Sequence, residues 1–332
     1  MKHSITIAGG GLAGLSLGIA LQRRGVSVTL HEASNYPRHR VCGEFISGVS
    51  DDTLATLGIT DCLSGATKLE SASWNNSSGK LAEMTVPGLG ISRWKLDDLL
   101  QRHFTSLGGT LVTNSRIAPA QGMIWAAGRP RRTSGWLGLK CHARNLPVSH
   151  DLEMFTSADG YVGLAKIEDG KINICGLFKS RPNNGAKGTG LLISVLRRAS
   201  LNALADRLEN ATLEESSFCG VAGFELGPQS GPAFRIGDAA CMIAPFTGNG
   251  MSMAFESAEC ALQPALDYAS GREPWPTAAG TALANQTIRF RRRMTTAALV
   301  HGCLTSPTGL KIISALARRG CVPLQTLLNL VR

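Results

Sequence analysis

The 332-residue sequence predicts an α/β fold: a Rossmann-like domain around a parallel sheet, an inserted antiparallel β-sheet domain, and C-terminal helices. Three observations predict it. A strand, a glycine-rich turn, a helix and a second strand ending in an acid lie within the first 32 residues. Short strands with hairpin turns fill the middle of the chain. From residue 281 onward the pattern is helical.

Residues 4–8 (Ser-Ile-Thr-Ile-Ala) read as a buried strand, and Gly-Gly-Gly-Leu-Ala-Gly follows at 9–14. Residues 12–24 read as a helix that Gly25 stops. Residues 26–31 read as the second strand, with Glu32 at its end. Each part of this fingerprint has a physical task. Gly9 permits the tight turn, Gly11 lets the backbone approach a pyrophosphate, and Gly14 lets the helix pack on the sheet. The helix start, with Leu12 and Ala13, offers free N–H groups and partial positive charge to phosphates. Glu32, with Ala33 beside it, suits a ribose hydroxyl pair. The acid 18 residues after Gly14 makes this a dinucleotide site of NAD or FAD type and argues against NADP there.

A second strand–turn–helix unit lies late in the chain. Residues 233–236 read as a strand, Gly237-Asp238-Ala239-Ala240 as a turn, and Pro245-Phe246-Thr247-Gly248-Asn249-Gly250-Met251 as the approach to a helix opening near 250. Taken alone, Asp238 is equally a turn or helix cap.

The N-terminal G-x-G-x-x-G paired with this late G-D-A-A…P…G-x-G-M segment resembles the superfamily of flavoprotein monooxygenases (aromatic hydroxylase-like) and geranylgeranyl reductases. The resemblance is strong over residues 4–48 and 233–262 and weak between. It implies FAD on a glutathione-reductase-type Rossmann-like domain. It places Asp238 on the ribityl chain. It places the segment from Pro245 through Gly248, Asn249, Gly250 and Met251 at the flavin, where the backbone would stabilise negative charge on the reduced ring.

Three more patches extend the resemblance. Arg93, Leu96 and Leu100 match the R-x-x-L-x-x-x-L helix start, which implies Arg93 near the FAD pyrophosphate; a surface salt bridge is the plain alternative. The strand Gly122 to Gly128 matches a segment ending near the cofactor at Gly128. Arg40-Val41-Cys42-Gly43-Glu44 resembles the R-x-C-G-E element of the reductase branch, implying Arg40 near ribose or phosphate and Cys42 toward the flavin. Cys42 is then either a catalytic redox or acid group or a small buried hydrophobe.

The domains follow as residues 1–65, 88–140 and 220–275 for FAD, 66–87 and 141–219 for substrate, and 276–332 as a helical segment. The substrate part contains the stretches 147–155, 160–167 and 171–178, with Glu168-Asp169-Gly170 as a turn. Residues 188–209 read as one helix.

Composition narrows the function. The net charge of +10 is spread over short clusters, such as 129–132 and 289–293, and aromatics are 5% of residues. Neither suits a nucleic-acid surface. Nine cysteines with no C-x-x-C pair point to reduced thiols, no metal site, and a cytoplasmic protein without a signal peptide. The basic, apolar pattern at 308–331 allows a peripheral membrane contact or a packed helix.

The expected partner is a hydrophobic small-molecule substrate, free or presented by a carrier or membrane. No second G-x-G-x-x-G for NAD(P)H occurs, and Ala127-Gly128-Arg129 replaces the D-G element of the hydroxylase branch. NAD(P)H as a transient donor and a separate electron donor both stay open. Three functions fit: a flavin monooxygenase hydroxylating or epoxidising an apolar or aromatic molecule, an alkene reductase on a lipid or isoprenoid, and a non-catalytic flavin-binding redox or partner protein.

Overall fold

A computed structural model of the chain describes residues 1–129, 135–181, 185–223, 226–231 and 234–331. The basic cluster at 129–132 falls outside these residues beyond Arg129. In chain order the elements are β1 (Ile5–Ala8), α1 (Leu12–Gln22), β2 (Val28–His31), β3 (Phe45–Ile46), α2 (Asp51–Leu57), β4 (Thr67–Asn76), β5 (Gly79–Gly90) and α3 (Arg93–Ser106). There follow β6 (Thr110–Val112), β7 (Met123–Trp125), β8 (Trp136–Arg144), β9 (Leu152–Ser157), β10 (Gly160–Lys166), β11 (Ile172–Lys179), α4 (Gly188–Arg198), α5 (Asn202–Glu209) and β12 (Thr212–Ala222). The chain ends with β13 (Gly227–Pro228), β14 (Cys241–Met242), α6 (Gly250–Ser270), α7 (Trp275–Thr305), α8 (Pro307–Arg318) and α9 (Leu324–Leu330).

The first sheet is parallel, in the order β6-β2-β1-β7. α1 is apolar all round, as a helix enclosed by other elements must be: Leu15, Leu17, Ile19 and Leu21 are fully buried. It lies against α3 and α6. The close fit needs glycine. A Cβ on Gly14 would stand 2.0 Å from the Gly9 carbonyl oxygen.

The second sheet has eight strands in the order β12-β8-β11-β10-β9-β4-β5-β3. Side chains alternate between its faces. One face buries Leu139 and Cys141 of β8, Leu164 of β10 and Ile174 of β11 against Leu192, Leu196 and Leu204 of α4 and α5. The opposite face therefore carries Lys140 and His142, Asn173 and Cys175, and Tyr161 and Gly163. It turns toward the loop carrying Cys42, since Asn173 Nδ2 donates to the Cys42 carbonyl at 3.0 Å. The C-terminal helices close the far end of this face, where Leu304 and Ala317 pack on Trp74 and Leu81.

Two local readings are corrected. Residues 188–209 form two helices, because Ser200 takes φ +60 between α4 and α5. The region read as a strand at 233–236 makes only a parallel bridge from Arg235 to Trp125 among the described residues; residue 233 lies outside them. No helix among the described residues is long and apolar enough to cross a membrane.

Candidate functional site

The late segment that leads into α6 comes up against the start of α1, which marks the candidate cofactor trough. Gly237 comes close enough to α1 that a Cβ there would lie 3.0 Å from Ala13 Cβ. Ser47, just after β3, is tied to α6 by two hydrogen bonds with Ser252, N–H to Oγ at 3.2 Å and Oγ–H to carbonyl at 2.6 Å.

Both helix starts lack a side-chain cap. Gly11, which has no side chain to offer, precedes α1, and Asn249, whose side chain does not bond the first turn, precedes α6. Yet the first turns are buried: Leu12 is 4% exposed, Met251 3% and Ser252 0%. Helices α2, α3 and α8 are capped by Ser50, Ser92 and Ser306. Helices α4, α5, α7 and α9 also lack a side-chain cap, so burial of the first turn is what sets α1 and α6 apart from α4, α5 and α9. A buried helix N-terminus without partners is costly unless a ligand supplies them.

Other groups around the trough are also incomplete. Asn249 is fully buried and its Oδ1 accepts no hydrogen bond. Arg40 Nη2 is buried without a hydrogen bond, 3.6 Å from Glu32, while Arg40 Nε donates to Asp97 at 3.0 Å. Arg93 donates to Asp97 through Nε and Nη2, at 2.7 and 2.8 Å. Burial opposes the Arg93 charge, but Asp97 and Cys42 raise its pKa and hold it cationic. Asp238 makes no hydrogen bond with the described residues through its carboxylate. Burial raises its pKa, and Arg93 and Arg129 offset part of that.

The glycines complete the cradle. Gly9, at φ +112, turns the chain where a Cβ would strike the Ala126 carbonyl at 2.2 Å. Gly128 and Gly250 face open space, as does Gly11 apart from Arg93. Gly248, at φ +67, lies against the Phe45 ring. Glu32 is 4% exposed and accepts from Gly10 N at 2.8 Å, Ser34 N at 3.1 Å and Arg38 at 3.0 Å. It therefore organises the turn as well as standing beside Ala33 where a ribose would lie. These residues fit FAD: two buried helix starts for anionic groups, a free carboxylate for ribityl hydroxyls, and an orphan acceptor and donor along the trough.

Cys42 borders the trough beside Arg93. Burial raises its pKa, Arg93 partly counters this and Glu44 adds to it, so the thiol stays protonated at neutral pH. Burial also pushes the Cys175 thiol well up.

Sequence reading missed the cluster behind Cys42. Glu44, at 0% exposure, accepts from Lys140 Nζ at 3.2 Å, from His142 Nε2 at 2.6 Å and from Arg93 N at 3.0 Å. Burial works against the Glu44 charge, but His142 and Lys140 win and lower its pKa. Lys140, itself 0% exposed, also meets His39 Nδ1 at 3.1 Å. His39 stacks on Trp94 and is lowered to about 4 by burial, then by Lys140 and His142. The available signal was Lys140 and His142 at alternate positions of an otherwise apolar strand.

On the face of the second sheet that carries Lys140, Trp136 and Tyr161 join Phe246 and His301 in an aromatic group with ring centres 5.7–6.2 Å apart. Val41, Leu177 and Met242 pack with Tyr161. Burial lowers the His301 pKa and keeps the ring neutral. The wall is aromatic, and two of its polar atoms, Tyr161 Oη and His301 Nδ1, are buried without a hydrogen bond.

Comparison with known proteins fits this geometry. Residues 4–70 match the pyridine nucleotide-disulphide oxidoreductase family. A stretch of 68 residues is 40% identical to the squalene epoxidase erg1 of Aspergillus fumigatus, covering 20% of this chain and only 14% of that protein. The whole chain is similar in fold to Klebsiella pneumoniae HpxO, solved with FAD and uric acid (TM-score 0.77, 16% identity, 100% and 96% of the two chains). It is similar also to the p-nitrophenol 4-monooxygenase PnpA of Pseudomonas putida (TM-score 0.75, 13% identity, 99% and 96%). Pseudomonas aeruginosa PqsL, solved with 2-aminobenzoylacetate, aligns with TM-score 0.71 and 14% identity over 92% and 97% of the chains. The fold is the one that these solved structures have in common.

Proposed function

We propose that the chain is an FAD-dependent monooxygenase that hydroxylates or epoxidises an apolar or aromatic small molecule. The observation that carries this reading is the pair of buried, uncapped helix starts at Gly11 and Asn249 around the unbonded Asp238 carboxylate. FAD, when bound, supplies the electron storage and oxygen chemistry.

The residues have distinct tasks. Leu12, Ala13 and Gly14 present backbone N–H groups to the pyrophosphate, with the Arg93 charge beside Gly11. Glu32 would accept hydrogen bonds from the adenosine ribose hydroxyls, with Arg40 3.6 Å from its carboxylate. Asp238 accepts from the ribityl chain. Gly250 and Met251 offer N–H groups to developing negative charge on the flavin. Tyr161, Phe246 and Trp136 exclude water and hold a flat apolar substrate.

Support for oxygenation comes from this aromatic wall and from the named activities of the similar proteins. The Arg40-Val41-Cys42-Gly43-Glu44 loop, similar to the R-x-C-G-E element of the reductase branch, favours the second reading, an alkene reductase on a lipid or isoprenoid. For reducing equivalents we infer NAD(P)H as transient donor, with a separate donor protein as the other source; reduction by NADH or NADPH alone decides between them.

The test is anaerobic reduction of the FAD-loaded protein, then air, with and without a panel of apolar aromatics and isoprenoids. Oxygen uptake that depends on substrate, with an oxygenated product, supports the monooxygenase. Saturation of an alkene without oxygen overturns it in favour of the reductase.

A further inference from the structure

A second site lies away from the cofactor trough, in a groove of about 470 Å³ between the β4–β5 turn, the β9–β10 turn, the end of α4 and α8. Its volume falls within the usual range for small-molecule sites. Three cations line it: Arg198, Lys311 and Arg318. Lys311, Ser314 and Arg318 share one face of α8 by their spacing. The one lining carboxylate, Asp159, is already paired with Arg181 at 2.6 Å. None of the three cations pairs with an acid among the described residues.

Two buried polar atoms here lack partners. Ser314 is 7% exposed, and its Oγ makes no hydrogen bond. Arg198 Nε is buried and unbonded, while its Nη2 donates to the Lys179 carbonyl at 3.3 Å. An unpaired buried donor costs free energy that an anionic acceptor recovers. Ser77, Ser78 and Ser200 add hydroxyls around the rim.

We propose that this groove binds a phosphorylated small molecule, with the phosphate between Arg198, Lys311 and Ser314 and a hydroxylated body along the serine rim. The Arg198 guanidinium gives directed donors to phosphate oxygens, and Lys311 and Arg318 add charge. The site is built from residues distinct from those of the FAD trough and does not depend on the proposed reaction.

The test is calorimetric titration of the protein, saturated with FAD so that the α1 start does not take the probe, with ribose 5-phosphate and with ribose. Binding of the phosphate but not the sugar is expected, weakened about tenfold or more by Arg198→Gln and measurably by Ser314→Ala. Ser314→Ala removes an unbonded buried hydroxyl, so this variant is expected to fold even if Arg198→Gln does not. Arg102→Gln, a change at an exposed arginine paired with Asp98, serves as the charge control. Wild-type protein that ignores ribose 5-phosphate overturns the proposal. So does affinity unchanged in both groove variants, or an equal loss in Arg102→Gln.

Discussion

Gly11 and Arg93 face each other across open space: a Cβ on Gly11 would stand 3.9 Å from Arg93 Nη2 and meet nothing closer. The backbone of Gly11, at φ −86, accepts any residue. Gly9 and Gly14 differ, since a Cβ on either would strike backbone at 2.2 or 2.0 Å. Gly11→Ala is therefore expected to keep the apoprotein melting temperature within about 2 °C while weakening FAD about tenfold or more. Gly14→Ala is expected to destabilise the apoprotein itself by about 1–3 kcal/mol. Thermal melts with and without FAD separate the two.

The Asp238 carboxyl is half-buried, makes no hydrogen bond with the described residues and is raised in pKa by desolvation. A raised acid favours the folded state only while protonated, so its contribution is present below the unfolded value and lost as pH rises through the folded one. In the apoprotein Asp238→Asn is thus expected to be as stable as wild type or more so at pH 7, converging with it below about pH 4. The same variant is expected to bind FAD more weakly. A lower apoprotein melting temperature at pH 7 contradicts a ligand-directed role.

Much of this was legible in the sequence, because glycine spacing reports backbone approach directly. Gly9 and Gly14 pack as the motif spacing requires, and Gly237 meets Ala13 at the start of α1. The cluster of Glu44, Lys140 and His142 was not legible, since its members lie about a hundred residues apart and meet only when β8 joins the second sheet. The break at Ser200 was hidden for another reason: α4 and α5 are both amphipathic, and nothing in residue type marks a positive φ at serine.

That cluster makes a stability prediction. Lys140→Met leaves Glu44 buried beside His142 with one cation fewer, and removing one partner of a buried pair costs about 3–5 kcal/mol. Adding Glu44→Gln is expected to recover part of the loss. Chemical denaturation of both variants measures the coupling; equal losses in single and double variants contradict it.

His39 sets a pH dependence. Its folded pKa, about 4, lies below the ordinary value of 6.5. The unfolded chain therefore binds more protons between these values, and stability rises with pH across that window. His39→Gln is expected to flatten the slope between about pH 4 and 6.5 in denaturant titrations. An unchanged slope places the dependence on other groups.

Thiol chemistry offers a separate check. Cys303 and Cys321 are exposed, whereas Cys42 is half-buried and desolvation raises its thiol pKa. Alkylation at mildly alkaline pH, followed by peptide mass spectrometry, is expected to modify Cys303 and Cys321 well before Cys42, because the thiolate is the reacting form. Early labelling of Cys42 contradicts the protonated-thiol description.

The most direct measurement is equilibrium titration of the purified apoprotein with FAD, followed by flavin fluorescence and absorbance, in wild type and Gly11→Ala. Saturable binding of one FAD per chain, weakened in the variant at unchanged apoprotein stability, is the result expected from the two open helix starts. Failure of the folded wild-type protein to bind FAD, or equal affinity in both proteins, contradicts it.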